Sequence, residues 1–264
     1  MKASKPHTIT VANLKGGVGK TTTAVCAAAG LALKGRGTIL IDLDSQDTAT
    51  AHLLNLSELE GSATIFDVLE GKMDLSKAAF PTRVDGLRVV PPGGDKDRYE
   101  RYARKSGDIE LALGKAAGSP GSGDVDYIVI DTPPSLDFFS VSAIAASDWV
   151  IVPVTCEYLP LLGLKQFNQR LARIRDRLGF GPDILGYLMT MVDRRERITW
   201  EVEEVLRKTF GSRLFRTHIR IDTKVKVCPS HKMTIFEYEP ENGRARSDYE
   251  SLVEEIIERV ESSY

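Results

Sequence analysis

The sequence predicts an α/β fold: a single domain in which a doubly wound, mostly parallel sheet carries helices on both faces. Two observations predict this class. Short runs of consecutive apolar residues recur along the chain, which is typical of strands that are covered on both faces. Longer segments with apolar residues at helical spacing lie between these runs. Because strands alternate with helices, neighbouring strands are expected to run parallel.

The apolar runs and the helical segments have definite boundaries. The expected strands are Thr8–Ala12, Thr38–Ile41, Gly86–Val90, Tyr127–Ile130, Trp149–Val152 and Ile184–Leu188. The expected helices are Lys20–Lys34, Asp97–Ala117, Phe138–Ala146, Leu161–Leu178, Ile198–Phe210 and Ser247–Val260. A stretch rich in Gly, Ser and Pro at 118–123 precedes a strand of the same sheet, so we interpret it as a surface loop. We therefore expect a short tail at 1–7 and one domain at 8–264.

Composition and cysteine spacing restrict the class of protein. The chain has 264 residues, of which 42% are hydrophobic and 27% are charged, with a formal net charge of -2. These values are ordinary for a globular protein. Cys26, Cys156 and Cys228 are far apart and fit no metal-ligand spacing, so we expect free thiols in a reducing compartment. The sequence contains no secretory signal and no run of about 18 apolar residues, so we expect a cytoplasmic protein.

The most informative motif follows the first expected strand and begins an Ala-rich helix. It consists of Lys15, Gly16, Gly17, Val18, Gly19, Lys20, Thr21 and Thr22. Glycines allow backbone N–H groups to curl around an anion, and the helix N-terminus adds a partial positive charge. Lys20 can then reach the β- and γ-phosphates of a nucleotide, and the Thr21 hydroxyl can bind Mg²⁺. The motif predicts a phosphate-binding loop, with a purely structural glycine turn as the alternative.

Three aspartates follow two other expected strands. Asp42 and Asp44 come after the second strand, and because they are two residues apart they leave the strand end on the same side. Asp131 follows the four apolar residues 127–130, the arrangement that brings a carboxylate toward Mg²⁺-bound water. Ligands of α/β proteins bind at the carboxyl ends of strands. We therefore expect these carboxylates near the phosphate loop; turn-forming or helix-capping aspartates are the alternative.

The glycine motif departs from the strict pattern G-x-x-x-x-G-K-[ST] at one position. Leu14 stands where that pattern has its first glycine, and an additional lysine, Lys15, follows it. In these residues the sequence resembles the deviant Walker A family of ParA- and MinD-type ATPases, a branch of the phosphate-loop NTPases that includes the nitrogenase iron protein. The resemblance implies ATP and Mg²⁺ as cofactors. It also implies a homodimer in which Lys15 crosses the interface to the nucleotide of the other subunit.

The resemblance implies roles for the carboxylates as well. In the family's Asp-x-Asp-Pro-Gln switch the second aspartate, here Asp44, positions the attacking water, and the first, Asp42, supports the Mg²⁺ shell. The implied catalytic residues are Lys15, Lys20 and Asp44, and the implied metal-binding residues are Thr21, Asp42 and Asp131. Ser45 replaces the family's proline, which implies a less rigid loop.

Further along the chain the match is less complete. Residues 152–158 match the family's segment after the Asp131 strand, but Pro160 and Leu162 stand where the family has Ala and Glu. Met191 and Asp193, together with the loop 220–224, fall where the family encloses adenine. In that loop Arg220 and Asp222 replace the family's Pro and Asn. We expect Met191 and Asp193 to belong to the nucleotide site.

The small net charge conceals an uneven distribution. Residues 160–232 contain 16 basic and 8 acidic side chains, whereas residues 233–264 contain 3 basic and 9 acidic ones. No aromatic residues interleave with the basic ones as a base-stacking platform requires, so the pattern fits phosphate contacts that bind duplex DNA without reading its sequence. In chromosomal ParA-type relatives such residues bind nonspecific DNA. The matching positions are Arg195 and Lys224, with Arg197 and Lys226 beside them; an ordinary solvated basic face is the alternative.

Three other branches make different demands. A MinD-like membrane regulator needs a basic amphipathic helix, but the last expected helix has an acidic polar face that anionic lipid repels, so we expect it to pack on the core. An iron protein needs cysteine ligands for a shared cluster, which the three cysteines do not match. An ATP-dependent metabolic enzyme or reductase needs a second polar substrate pocket, for which the sequence shows no residues.

The residues and the resemblance together predict a chromosomal, Soj-like ParA-type ATPase without an N-terminal helix-turn-helix domain. We expect an ATP-dependent dimer that binds the nucleoid nonspecifically and segregates or positions a chromosome, a plasmid or a protein cargo. Intrinsic turnover is expected to be slow and to be stimulated by a ParB-like activator or cargo adaptor. No association with membranes is expected.

Overall fold

A computed structural model describes residues 5–93, 109–119, 121, 125–134, 138–157 and 160–262. An eight-stranded sheet forms the centre of this part of the chain. Its strands are β1 His7–Val11, β2 Thr38–Asp42, β3 Phe80–Pro81, β4 Leu87–Val90, β5 Tyr127–Asp131, β6 Trp149–Thr155, β7 Asp183–Val192 and β8 Leu214–Arg220. In space they lie in the order β3-β4-β2-β5-β1-β6-β7-β8. Every neighbouring pair is parallel except β3 and β4, which are antiparallel.

Helices cover both faces of the sheet. They are α1 Lys20–Leu33, α2 Thr48–Leu53, α3 Ile65–Leu69, α4 Leu75–Ala78, α5 Ile109–Gly118, α6 Phe138–Ala146, α7 Pro160–Leu178, α8 Arg197–Phe210, α9 Thr223–Val227, α10 Ile235–Tyr238 and α11 Arg244–Glu261. Successive residues of β5 alternate between two core clusters. Val129 packs in the cluster that contains α1 and α11, whereas Ile128 and Ile130 pack in the cluster that contains α6. Burial on both faces explains why the central strands are continuously apolar.

The doubly wound, mostly parallel fold is confirmed, and so are all six expected strands. Each expected helix is present at least in part, although residues 97–108 of the second one lie outside the described residues. The last helix begins at Arg244 rather than at Ser247. The unexpected elements are two strands, β3 and β8, and five short helices, α2, α3, α4, α9 and α10.

The strand β8 corrects the expected loop at 220–224. Arg220 is the last residue of β8, and Lys224 lies in α9, so only Ile221 and Asp222 connect the two elements. β8 contains no continuous apolar run, so its sequence did not predict a strand. Its polar residues Arg216, His218 and Arg220 alternate with Phe215, Thr217 and Ile219. Such alternation is typical of a strand at the edge of a sheet, with one face less covered.

The last helix, α11, packs on the core as expected. Its apolar residues Leu252, Val253, Ile256 and Val260 are all buried in the cluster that contains α1. The approach of the two helices is close, because a Cβ added at Gly30 of α1 would lie 2.3 Å from Cγ2 of Val253. Among the described residues, no helix is long and apolar enough to cross a membrane.

Acidic residues of α11 accept hydrogen bonds from the backbone N–H groups of the edge strand β8. Glu255 accepts hydrogen bonds from the backbone N–H groups of Arg216 and Thr217, each at 2.9 Å, and Asp248 accepts one from the N–H of Arg220 at 3.0 Å. Burial alone would raise the pKa of Glu255, but these hydrogen bonds and the Arg259 guanidinium outweigh it and lower the pKa. The acidic face therefore covers the open edge of β8, which would otherwise present unpaired donors.

Replacing Glu255 with Ala should lower the free energy of unfolding by about 3 kcal/mol, because it leaves two buried backbone donors without their acceptor and removes the carboxylate that Arg259 pairs with. Urea unfolding followed by circular dichroism measures the loss. The matched control is Glu254→Ala on the same helix, which removes only a solvent-exposed ion pair with Lys34 and should change stability little. Equal losses in the two variants would contradict this role of Glu255.

Candidate functional site

The glycine motif forms a loop between β1 and α1, at the carboxyl edge of the sheet. Gly17 and Gly19 have φ angles of 72° and 83°, in the left-handed region that residues with a Cβ rarely adopt. Gly19 is also the residue that precedes the first turn of α1, so the unpaired N–H groups of that turn point into the loop. Thr21 and Thr22 are half-buried in the same turn. The predicted phosphate-loop geometry is thus present in the backbone.

Two buried side chains that the sequence analysis missed hold this loop in place. Asn13 donates a hydrogen bond to the carbonyl of Pro153 on β6 at 2.6 Å and accepts one from the N–H of Lys15 at 3.1 Å. One strand further along the sheet, the Thr190 hydroxyl of β7 donates to the carbonyl of Val18 at 2.9 Å. Asn13 follows the end of β1 by two residues and Thr190 precedes the end of β7 by two, and a polar residue near the carboxyl end of a strand is the signal that could have identified each.

Lys20 lies inside the loop. Its side chain donates from Nζ to the carbonyl of Lys15 at 3.0 Å, and the residue is only 6% exposed. Burial lowers the pKa of Lys20, and the charges of Asp131 and Asp44 offset part of that effect. The ammonium group is therefore held at the position that the motif predicts for a lysine that reaches phosphate oxygens.

Asp42 and Asp131 end neighbouring parallel strands and are directly opposite each other in the register of β2 and β5. Both are fully buried. Asp42 accepts hydrogen bonds from Thr50 N and Oγ1, both at 2.8 Å, and from the N–H of Asp44 at 3.1 Å. Burial still raises the pKa of Asp42 to about 7, because these hydrogen bonds compensate only in part.

The buried carboxylate of Asp131 has fewer hydrogen bonds than that of Asp42 to offset its loss of solvation. Neither of its carboxylate oxygens has a hydrogen-bond partner of normal geometry among the described residues. Burial, followed by the charge of Asp42, raises the pKa of Asp131 well above its usual value, and weaker interactions with the Thr21 hydroxyl and Lys20 oppose the rise. A buried carboxylate without donors, next to a second carboxylate and a hydroxyl, is the set of oxygen ligands that Mg²⁺ prefers. The residues present therefore fit this metal ion together with a phosphate chain.

Asp44 lies at the mouth of the site. It is partly exposed, and its Oδ1 accepts a hydrogen bond from the N–H of Gln46 at 3.1 Å. The following turn places Asp47 at a φ of 53° and leads into α2, where Thr50 contacts Asp42. The two aspartates of the switch thus have different environments, since one is buried and anchored to α2 and the other is open to solvent.

Lys15 points away from the loop and forms an ion pair within its own chain. Its Nζ lies 2.6 Å from Oε2 of Glu157, which follows β6, and the two side chains are 45% and 62% exposed. The Lys15 ammonium lowers the pKa of Glu157. The sequence analysis assigned no role to Glu157, since nothing in the local pattern shows that the end of β6 lies beside the loop.

The segments expected to enclose the base do come together. A cavity of about 430 Å³ is lined by Val192, Asp193, Arg194, Arg195, Arg220, Ile221, Asp222, Thr223 and Arg244. Met191, with a φ of 54° and 42% exposure, precedes the cavity in the chain and is not part of its lining. The two departures from the family pattern are paired with α11: Arg220 forms several hydrogen bonds with Asp248, and Asp222 accepts one from Arg244 at 2.9 Å.

Most of the expected DNA-binding residues are ion-paired. Arg195 binds both oxygens of Asp193, which lowers the pKa of that aspartate to about 2, and Arg197 pairs with Glu201 at 2.8 Å. Lys224 lies 2.9 Å from the buried carboxylate of Glu239. Of the four expected residues, Lys226 alone has no carboxylate partner within the described ranges. The structure therefore places Arg195 in the lining of the cavity and compensates the charge of three of the four residues.

Comparison with known proteins shows the family. A family model described as AAA domain matches residues 6–181. The chromosome partitioning protein ParA of Caulobacter vibrioides is 33% identical over 98% of this chain and 97% of its own length. The chromosome-partitioning ATPase Soj of Treponema pallidum is 34% identical over 96% of this chain and 97% of its own. The sporulation initiation inhibitor protein Soj of Bacillus subtilis is 33% identical over 94% and 97%.

Solved structures agree on the fold. Cobyrinic acid a,c-diamide synthase from Mycobacterium smegmatis, with a bound ATP analogue and magnesium, superimposes with a TM-score of 0.80 at 26% identity and covers 98% of this chain and 97% of its own. A plasmid partition protein from Borrelia burgdorferi superimposes with a TM-score of 0.74 at 27% identity and covers 97% and 100%. With the phosphate loop, the paired aspartates and relatives over nearly its full length, this chain belongs to the ParA/Soj family of chromosome-partitioning ATPases.

Proposed function

We propose that this chain is an ATPase that uses ATP and Mg²⁺ to switch between a free protomer and a dimer bound to nonspecific DNA. Through this cycle it segregates or positions a chromosome, a plasmid or a protein cargo. The observation that carries the proposal is the buried pair Asp42 and Asp131 beside Lys20, under the glycine loop. Two adjacent buried carboxylates are unfavourable in their charged forms unless a cation lies near them. The Mg²⁺ ion that accompanies ATP is such a cation.

Each residue of the site then has a defined task. The loop N–H groups and Lys20 bind the β- and γ-phosphates, and Thr21 and Asp131 hold Mg²⁺, while Asp42 supports its water shell. When bound, the metal ion stabilises negative charge on the phosphate oxygens. Asp44, partly exposed at the mouth and held by the N–H of Gln46, orients the water that attacks the γ-phosphate. Asp193 and the cavity at the carboxyl ends of β7 and β8 bind the base.

Lys15 acts on the nucleotide of the second protomer. To do so it must leave Glu157, and the exposure of both side chains makes this inexpensive, because a solvent-exposed ion pair contributes at most about 1 kcal/mol. A triphosphate carries more negative charge than one carboxylate, so it competes well for the ammonium. The pair with Glu157 therefore restrains Lys15 in the free protomer without preventing dimerisation.

Replacing Glu157 with Gln should strengthen ATP-dependent dimerisation about two- to fivefold, because Lys15 no longer has to give up an ion pair. Sedimentation velocity in ATP and Mg²⁺ measures the dimer fraction. Lys15→Ala should remain monomeric while it still binds nucleotide. Glu204→Gln, which removes the exposed pair with Lys208, is the matched control and should behave like the wild type. A Lys15→Ala protein that dimerises normally would exclude a role in trans.

Arg195, Arg197, Lys224 and Lys226 are the proposed DNA contacts. Arg195 and Arg197 are 89% and 92% exposed, so phosphate groups can replace their carboxylate partners at little cost. Asp193 holds Arg195 and also lines the cavity proposed for the base. Nucleotide and DNA contacts therefore meet in one loop after β7, which supports coupling between them. We further propose slow intrinsic turnover that a ParB-like activator or cargo adaptor stimulates, and a cytoplasmic protein associated with the nucleoid.

The Asp44→Ala variant should keep ATP bound and stay dimeric on DNA, with turnover reduced by at least about a hundredfold, because the attacking water loses its positioning group. Retention of random duplex DNA in ATP and in ADP, measured beside phosphate release, tests this. Wild-type protein should bind DNA in ATP and lose it in ADP. The control is Asp47→Asn in the same loop, where asparagine tolerates the left-handed backbone. Wild-type turnover by Asp44→Ala would contradict the proposal.

A metabolic role is the second candidate, because a synthase is among the similar structures. The relatives named for chromosome partitioning are 33–34% identical, whereas the synthase is 26% identical, so the comparisons favour partition. The membrane alternative loses its support in the structure, since the apolar stripe of α11 is buried against α1.

A further inference from the structure

Two arginines on α7 lack the carboxylate partners that most basic residues of the segment 160–232 have. Most basic side chains there have a carboxylate within 4.0 Å: Arg175, Arg194, Arg195, Arg197, Arg207, Lys208, Arg216, Arg220 and Lys224. Arg170 and Arg173 have no carboxylate partner anywhere in the described part of the chain, and both are exposed. Lys165 of the same helix and, elsewhere in the segment, Arg213, Lys226 and Lys232 also have no carboxylate within 4.0 Å among the described residues, so α7 carries three of these six uncompensated cations.

These two arginines lie on one face of α7 together with Arg177. The spacing of three and four residues places all three along the same stripe, which extends over about 10 Å of the helix. They line a groove of about 280 Å³ whose other lining residues are Ile174 and Val141 of the neighbouring helix α6. The groove has an apolar floor and a rim of guanidinium groups. We refer to it as the α7 arginine groove.

The helix dipole does not explain the stripe. Cations in the last turn of a helix stabilise it by interacting with the free carbonyl groups, and Arg175 and Arg177 fall in that turn. Arg173 and Arg170 lie five and eight residues before the last residue of α7, outside its last turn, where this effect has faded. The two exposed residues before Arg170 on the same face, Gln166 and Gln169, are neutral hydrogen-bonding groups. The stripe therefore has the composition of a surface that binds anions.

We propose that the α7 arginine groove is a second contact surface for the sugar–phosphate backbone of duplex DNA. The inference rests on the proposed DNA-bound state of this ATPase. Guanidinium groups bind phosphate oxygens in pairs, and the side chains of Val141 and Ile174 offer a floor for the carbon atoms of the sugar. Arg170 and Arg173 need not break an ion pair before they bind phosphate, whereas Arg195 and Lys224 must. Each of the α7 arginines therefore contributes at least as much to DNA binding as the loop residues do.

The test compares two double variants that remove equal charge. Arg170→Gln with Arg173→Gln removes the groove cations, and Arg36→Gln with Arg175→Gln removes two exposed cations that are already paired with Glu261 and Asp183. Binding to random duplex DNA is measured with a non-hydrolysable ATP analogue and Mg²⁺ over a range of salt. Two lost phosphate contacts flatten the slope of log K against log salt by about 1.8. Between about 50 and about 200 mM salt the wild type should thus lose about tenfold more affinity than the groove variant.

The outcomes separate this inference from the proposed function. If wild-type protein does not bind DNA with the ATP analogue, the proposed DNA-bound state is wrong, and the inference is wrong with it. If wild-type protein binds DNA and the groove variant keeps the wild-type slope, the inference alone is wrong. The paired control should keep the wild-type slope, and thermal unfolding in ADP should show that both variants are folded.

A chemical footprint gives an independent readout that needs no variant. Phenylglyoxal modifies accessible arginines, and mass spectrometry locates the modified sites. Duplex DNA should protect Arg170 and Arg173 in the presence of the ATP analogue but not in ADP. If a polyglutamate peptide protects them and DNA does not, the groove belongs to an acidic protein segment and the proposal is overturned.

Discussion

The opposition of Asp42 and Asp131 is the constraint on which the rest of the site depends. The parallel register of β2 and β5 places the two residues side by side at the strand ends, where neither can move away from the other. Raising the pKa of Asp42 from 3.8 to about 7 corresponds to on the order of 4 kcal/mol against ionisation. The sheet thus keeps a pair of carboxylates in an unfavourable place, and only cations near them can make their charged forms stable.

The other elements of the site are arranged around this pair. Thr50 holds Asp42 through two hydrogen bonds and so ties α2 to the carboxyl end of β2. Asn13 holds the phosphate loop to β6 and Thr190 holds it to β7, and Lys20 lies within reach of Asp131. A loop that is already fixed has less conformational entropy to lose when a ligand binds. The site is therefore largely formed before nucleotide arrives, apart from Lys15, which is held by Glu157.

Local sequence was sufficient to predict the loop, the three aspartates and the central strands. In each case a short pattern determines the local structure. Glycines allow the positive φ angles of the loop, and a carboxylate after an apolar run lies at the end of a strand. The missed features depend on residues that are far apart in sequence. Arg220 pairs with Asp248, 28 residues later, and Thr190 contacts Val18 across 172 residues. No local pattern contains such partners, so the pairing of Arg220 could not be predicted, whereas the partners of Arg195 and Arg197 lie within four residues in the sequence.

In the folded chain, the acidic last segment and the basic segment before it are in contact and partly neutralise each other. The acidic residues of α11 do not form a separate solvated face, because several of them bind the backbone or the arginines of β8. Charge in the loops after β7 and β8 is therefore largely local and balanced. The uncompensated cations of α7 are the feature that a count along the sequence could not distinguish from the rest.

The central claim is that the carboxylate pair and the phosphate loop form one site that requires the metal ion and the nucleotide together. Thermal unfolding in four conditions tests it most directly: protein alone, with Mg²⁺, with ATP and EDTA, and with ATP and Mg²⁺. Only the last condition should raise Tm strongly, because it alone neutralises Asp42 and Asp131 while filling the loop. Equal stabilisation by ATP with EDTA and by ATP with Mg²⁺ would contradict the account.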